Sequence, residues 1–485
     1  MEQPAPHLFV IPGGTGDLAE KKLLPALYHL ATQGRLGERY RILAIGRKSS
    51  IDDAAYRKWA REALQSSGFT EDDLLGWCDD CLAYQSVADT SEAEYARLAE
   101  RIDALDKEHD LGGNRTFYLA LPPRTFIPTI DALGRAGLAK SAGYTRLVIE
   151  KPFGRDIDSA LALNAKVHEW FDESQVYRID HYLGKETVQN LLVFRFGNSI
   201  FEDLWNRDRI ESVQITVAED VGVGDRAGFY EHTGALRDIV QNHVAQVMAL
   251  AAMEPPIAFD APSVRYEKLK VLRAIQPLKD EDVVFGRYAA GTVRDERVPG
   301  YLEEEGVAPD SKTETAVALR LEIDNWRWQG VPFFVRTGKR LAEKLTEIAV
   351  VFRRPPVSLF GSESDGAPER NVLFITLQPD EGFTLTMDVK APGEPLSVKR
   401  IPLAFRYGEE FGELPDAYET LILDVLTGDQ TLFVHADEAV ASWRLFDPVL
   451  ARERPIYDYP AGSWGPRESN DLVSEKGQSW QVRDR

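Results

Sequence analysis

Up to about residue 200, short apolar runs alternate with stretches whose apolar positions recur at helical spacing. His7–Ile11, Arg41–Ile45, Thr116–Leu121 and Thr145–Ile149 are predicted strands, and Leu23–Leu30, Ala54–Leu64 and Glu92–Leu105 predicted helices between them. Strand and helix in this rhythm imply a parallel sheet with crossover helices. Beyond that point the period shortens. Glu211–Glu219 is a predicted strand. Val317, Leu319, Leu321 and Ile323 alternate with other residues, as do Phe383, Leu385, Met387 and Val389, which predicts an antiparallel sheet with one covered face. A long helix is expected over Gly234–Glu254, stopped by Pro255 and Pro256. The fold class expected is therefore a doubly wound α/β domain, residues 1–185, followed by a larger α+β domain with a mostly antiparallel sheet, residues 186–485.

The 485 residues exceed one ordinary core, and a hydrophobic fraction of 44% is enough for each domain to bury one. No apolar run approaches the ~18 residues that span a bilayer, and MEQPAPHLFVIPGG does not read as a secretory signal, so the expectation is a cytoplasmic chain. A net charge of −21 argues against nucleic acid, which is bound through positive surface. Local basic clusters in such a chain point instead to small anionic ligands. Cys78 and Cys81, in WCDDC, have C-x-x-C spacing, but no second pair completes a zinc site and the flanking acids disfavour a thiolate. They read as an incidental pair in a helix, with a redox switch as the alternative.

The first strand runs into PGGTGDLAEKK, with Gly13, Gly14 and Gly16 where a backbone approaches a pyrophosphate at a helix N-terminus. The spacing differs from G-x-G-x-x-G, and a plain tight turn would also explain it. The second strand ends in Arg47 and Lys48, where an NAD-selective domain carries an acid for the ribose 2′-hydroxyl. A guanidinium there suits a 2′-phosphate, hence NADP. The alternative is a solvated charge pair.

Three further segments carry polar residues that structure alone does not require. In VIEKPFG, Lys151 follows a strand and precedes Pro152, at the edge where such sheets bind ligands. YRIDHYLGKE sets Asp180, His181, Tyr182 and Lys185 close together. GALRDIVQNHVAQ puts His243 on one α-helical face with Val240 and Val247, consistent with a buried core histidine, and Asp238 off that stripe.

RIDHYLGKE, EKPFG, GGTGDLA, FYLALPP and RDIVQNH resemble the glucose-6-phosphate dehydrogenase family, and the likeness continues through GYLEEEG, DNWRWQGVPFFVRTGKRL, LQPDEG, LPDAYE and AGSWGP across nearly the whole chain. The resemblance implies that His243 is the general base at carbon 1 of glucose 6-phosphate and that Asp180 orients and stabilises its imidazolium. It implies that His181, Tyr182 and Lys185 hold the phosphate, that Glu219 and Asp238 bond sugar hydroxyls, and that Lys339 and Lys344, together with Gln378, complete the substrate site. Lys151 would sit between substrate and cofactor. Gly13, Thr15, Gly16, Asp17, Leu18 and Arg47 match the family's dinucleotide contacts. NADP is the implied cofactor with NAD as an alternative acceptor, the product is 6-phosphogluconolactone for the oxidative pentose phosphate route, and the chain is expected to form a homodimer or homotetramer through its large sheet. No metal is expected, since the nicotinamide accepts the electrons.

Three positions depart from the family pattern. Glu20 stands where members often carry a base, and Thr15 resembles members that use both dinucleotides, which weakens strict NADP selectivity. Leu345 replaces a lysine that in some animal enzymes helps hold a second, structural NADP. Two rival readings remain: a related sugar oxidoreductase acting on an unphosphorylated sugar, against which HYLGK and RTGK speak, and a dinucleotide-sensing regulator, against which the intact His243 and Asp180 speak.

Overall fold

The computed structural model describes residues 3–70, 74–357, 359, 369–394, 396–412, 414–474 and 477–483. The chain forms two compact units. The first holds residues 1–185 and takes in 257–265 and 415–440; the second holds 186–256, 266–414 and 441–485.

In the first unit β1 (His7–Pro12), β2 (Tyr40–Gly46), β3 (Leu82–Ser86), β4 (Arg115–Leu119), β5 (Thr145–Glu150) and β6 (Val176–Ile179) make an all-parallel sheet in the order β3-β2-β1-β4-β5-β6. β1, β4 and β6 are buried along their whole length, as expected for strands covered on both faces. Local chemistry sets the crossover helices. Asp52 caps Asp53–Ser66 by accepting from the Ala55 N–H, and Asp156 and Ser159 form a capping box at Ile157–Trp170. The four strands expected here are present with ends shifted by a residue or two. β3 and β6 were not anticipated, because LAYQS and VYRI are short and carry polar side chains. Arg178 on β6 is fully buried and is tolerated because Glu173 (2.6 Å) and Asn164 (3.0 Å) accept from it. The late helix Ala417–Thr427, capped by Asp416 and ended by left-handed Gly428, buries Leu421, Ile422 and Val425 in this unit.

The second unit carries, among the described residues, a nine-stranded mixed sheet. Its strands are β7 (Ile210–Ala218), β8 (Val283–Ala289), β11 (Ala316–Glu322), β12 (Pro332–Gly338), β13 (Leu345–Phe352), β14 (Val372–Gln378), β15 (Gly382–Lys390), β16 (Val398–Arg406) and β17 (Ile456–Pro460), in the order β16-β15-β14-β13-β7-β12-β11-β8-β17. β9 (Gly291–Val293) and β10 (Glu296–Val298) form a separate hairpin. β7 with β12, and β8 with β17, are parallel; the other neighbours are antiparallel.

The expectation of one covered face holds for neither alternating strand. Ala316–Leu319 of β11 are buried on both faces, with Val284, Ala318 and Leu472 packed together on one of them. On β15 the apolar row runs out to exposure, with Met387 40% and Val389 38% exposed and Leu403 of β16 55% exposed. The expected helix over Gly234–Glu254 is present but not uniform. Leu236–Val244 is a π-helix, and Ala245–Ala252 is α-helical before Met253 turns extended ahead of the prolines. Among the described residues no helix is long and apolar enough to cross a membrane.

Candidate functional site

Because β1 to β6 are all parallel, whatever follows each strand lies on one edge of the sheet. Gly13–Leu18 follow β1, Arg47 follows β2, Ala120–Pro123 follow β4, Lys151 follows β5, and Asp180–Lys185 follow β6. The sheet thus brings together the dinucleotide and phosphate-site candidates of the first unit.

The Gly13 and Gly14 N–H groups both donate to the Ile45 carbonyl, at 2.9 and 3.0 Å, which folds the chain tightly over the sheet edge. Gly13 has φ +88°, and a Cβ there would lie 2.1 Å from the Ala120 carbonyl oxygen; one on Gly14 would lie 2.6 Å from Ala44 Cβ. The glycines therefore form a cradle that side chains would fill, and helix begins directly after it at Asp17. Gly13→Ala is expected to destabilise the first unit by at least ~1–2 kcal/mol, the cost of a left-handed non-glycine residue plus the overlap. A thermal unfolding midpoint equal to that of the parent would contradict this. Arg47 is exposed, as is Asp17, which pairs with Lys21 at 3.5 Å.

At the next strand ends Glu150 and Ile179 are register partners, so Lys151 and Asp180 leave adjacent strands. Asp180 is 1% exposed, and its Oδ1 accepts from the Tyr182 N–H at 3.0 Å. The Leu183 N–H returns to the Asp180 carbonyl at 3.0 Å, closing a tight turn. The turn stacks its side chains: His181 meets Tyr182 edge-on at 5.1 Å, and Lys185 Nζ lies 4.9 Å from the Tyr182 ring centre. Gly184 is held close to the late helix, where a Cβ would lie 2.8 Å from the Ala417 carbonyl oxygen.

One group here was missed at the sequence level. Glu150 is buried at the end of β5, and Tyr118 on β4 donates to it at 2.6 Å. Burial pushes its carboxyl up to about 7, against the opposing pull of the Tyr118 hydroxyl and the Lys151 charge. The signal was available in TRLVIE, an apolar strand that ends in an acid. An acid raised by folding holds more protons folded than unfolded, so its contribution to stability falls as pH rises from its ordinary value through about 7, and is flat above. Within that window the slope is at most ~1.4 kcal/mol per pH unit. Glu150→Gln is expected to flatten the fall, seen by comparing unfolding midpoints between pH 5 and 8; parallel curves for parent and variant would contradict it.

In the second unit the parallel pairing of β7 with β12 sets Ala218 beside Gly338, so Glu219 and Lys339 emerge side by side. Lys339 Nζ donates to Glu219 at 2.5 Å and lies 5.1 Å from the Tyr230 ring centre. Burial first, and then the carboxylates of Asp238, Glu314 and Glu219, hold the Tyr230 phenol well above its ordinary range. Asp238 therefore belongs to the group around Glu219, Lys339 and Tyr230. The π-helix explains the apparent misalignment of Asp238 and His243. Bonds from residue i to i+5 place residues five apart nearly one turn on, where α-helical spacing would set them on different faces. His243 is 1% exposed in that segment. Lys344 is exposed just before β13 and is not among these contacts, and Gln378, at the end of β14, donates to Thr346 at 2.9 Å.

The cysteines read as incidental lie in the helix Leu74–Cys81, both buried and unbridged; burial pushes the Cys78 thiol up to about 12 and raises Cys81 as well.

A glycine cradle at the carboxyl edge of an all-parallel sheet, in a chain whose second unit is built on a mixed sheet, is the arrangement of Rossmann-type dinucleotide-binding proteins. Residues 10–190 match the glucose-6-phosphate dehydrogenase NAD binding domain and residues 192–481 the glucose-6-phosphate dehydrogenase C-terminal domain. The chain is 46% identical over 481 residues to a glucose-6-phosphate 1-dehydrogenase of Aggregatibacter actinomycetemcomitans, covering 97% of this chain and 96% of that one. It is 43% identical to the Bacillus subtilis enzyme of the same name, covering 98% of both. A solved glucose-6-phosphate dehydrogenase in complex with its substrate glucose 6-phosphate superposes with a TM-score of 0.91 at 35% identity, covering 99% of this chain and all of that one. The Mycobacterium avium glucose-6-phosphate 1-dehydrogenase gives 0.84 at 38% identity, covering 98% and 99%. The chain belongs to the glucose-6-phosphate dehydrogenase family and is an oxidoreductase.

Proposed function

We propose that this chain oxidises carbon 1 of glucose 6-phosphate to the 6-phosphogluconolactone, in the cytoplasm, with NADP as preferred acceptor and NAD accepted as well. The observation that carries this reading is the shared sheet edge. One row of strand ends presents the Gly13–Leu18 cradle, Arg47, Lys151 and the Asp180–Lys185 turn in succession. The cradle fits a dinucleotide because its glycines leave room for a pyrophosphate where side chains would collide with Ala120 and Ala44. Gly13, Thr15, Gly16, Asp17 and Leu18 would hold the pyrophosphate end, and Arg47 the 2′-phosphate. When bound, the nicotinamide supplies the hydride acceptor.

The other roles fall to the chain's own residues. His243, of the side-chain type most often used as a general base, removes the proton of the carbon 1 hydroxyl. Asp180 stabilises the resulting imidazolium, and its bond to the Tyr182 N–H holds that carboxylate in place. His181, Tyr182 and Lys185 bind the phosphate dianion, with Lys185 already drawn over Tyr182. Glu219 and Asp238 accept from sugar hydroxyls while Lys339 donates. Lys344 adds a further positive charge from the surface, and Lys151 bridges substrate and cofactor. The exposed apolar positions of β15 and β16, with Met387, Val389 and Leu403, support a homodimer or homotetramer through this sheet.

Glucose 6-phosphate deuterated at carbon 1 tests the reaction class: deuterium is expected in the reduced nicotinamide, and reduction without transfer of the label would refute the proposal. Arg47→Ala is expected to raise KM for NADP at least ~10-fold while leaving that for NAD nearly unchanged. Equal effects on both would remove Arg47 from the 2′-phosphate.

A further inference from the structure

The second unit contains a cavity of about 670 Å³ that includes none of the residues given a reaction role above. This is well within the range of small-molecule sites. In a chain of net charge −21, five cations converge on it: Arg237, Arg287, Lys312, Arg452 and Arg454. Phe285, Leu450 and Ile456 supply an apolar stretch of the same wall.

The acids nearby leave this character in place. Glu231 already accepts from the Tyr301 and Ser311 hydroxyls, and Glu314 is buried and accepts from the Leu236 N–H at 3.1 Å. The partners of the cations are mostly in solvent. Asp280, bonded to Arg452 and Arg454, is 73% exposed; Asp458, bonded to Arg287, is 58% exposed; Glu453, near Lys312, is 95% exposed. Exposed pairs of this kind are weak and give way to a better anion. Arg454 is 6% exposed, and its Nε is buried without a hydrogen-bond partner among the described residues. A buried guanidinium with an unused donor is a poor structural choice but a good anion ligand.

We propose that this cavity binds a phosphorylated small molecule of nucleotide size, its phosphates on the arginines and its base or sugar against Phe285, Leu450 and Ile456. Guanidinium groups match phosphate oxygens two at a time, and the volume exceeds what a single phosphate fills.

The test is calorimetric titration of ATP into the full chain, with glucose 6-phosphate and NADPH both saturating so that neither reaction site takes the probe. One ATP per chain is expected, with Kd of about 1 mM or tighter. Arg287→Glu is expected to weaken it at least ~10-fold. The Lys312→Glu, Arg452→Glu double variant changes only well-exposed side chains and guards against a folding defect; it is expected to weaken binding likewise. Both variants are expected to retain the parent's turnover without ATP. No saturable heat in the parent, or undiminished binding in the double variant, would overturn the proposal.

Discussion

His243→Asn is expected to lower kcat by at least ~10²-fold, the scale of losing a general base, with KM for glucose 6-phosphate little changed. His243 is 1% exposed on the π-helix, which packs within the unit that holds Glu219, Asp238 and Lys339. A residue so buried is ordinarily structural, which is why asparagine is the informative replacement: it keeps a polar side chain of smaller volume and removes the proton acceptor. If His243 only fills space, the variant loses stability and retains turnover per folded molecule. If it is the base, the folded variant is inactive. A folded variant with near-parental kcat would take His243 out of the reaction.

The second large effect is expected at the turn after β6. Lys185→Ala is expected to raise KM for glucose 6-phosphate by ~10- to 100-fold, as a charge-assisted bond to a phosphate is worth about 1.5–3 kcal/mol. Its Nζ lies over the Tyr182 ring, in a turn that Asp180 closes by accepting from Tyr182 and that the late helix confines at Gly184. The ammonium is thus held in place before the substrate arrives, which lowers the ordering cost of binding. Removing it leaves the turn's backbone bonds intact, so kcat should fall much less than KM rises. An unchanged KM, measured by initial rates over a range of substrate, would remove Lys185 from the phosphate site.

The parallel sheet was legible because strands buried on both faces read as apolar runs, as HLFVIP does and as the Leu147–Ile149 centre of TRLVIE does. VYRI was not, since its buried Arg178 depends on Glu173 and Asn164, partners that pattern cannot supply. Motif positions carried most of the candidate site, and the strand ends set them on one edge. The relation of Asp238 to His243 was misleading at the sequence level: a period of 3.6 separates them, and a π-helix realigns them. Nothing in LRDIVQNHV announces that geometry. Glu150 was overlooked because an acid after an apolar run looks like a strand's exposed end, whereas Tyr118 and burial make it an interior carboxyl. Burial along β15 was misjudged for the opposite reason, since alternation marks an apolar face without saying whether the same chain covers it.

The central claim is that this chain transfers a hydride from a phosphorylated sugar, and initial rates of nicotinamide reduction test it most directly. Glucose 6-phosphate should support turnover with NADP, and with NAD at lower kcat/KM, while unphosphorylated glucose at the same concentration should give at most ~1% of that rate, the difference expected from losing the bonds to a phosphate dianion. Comparable rates with glucose, or none with either sugar, would contradict the account.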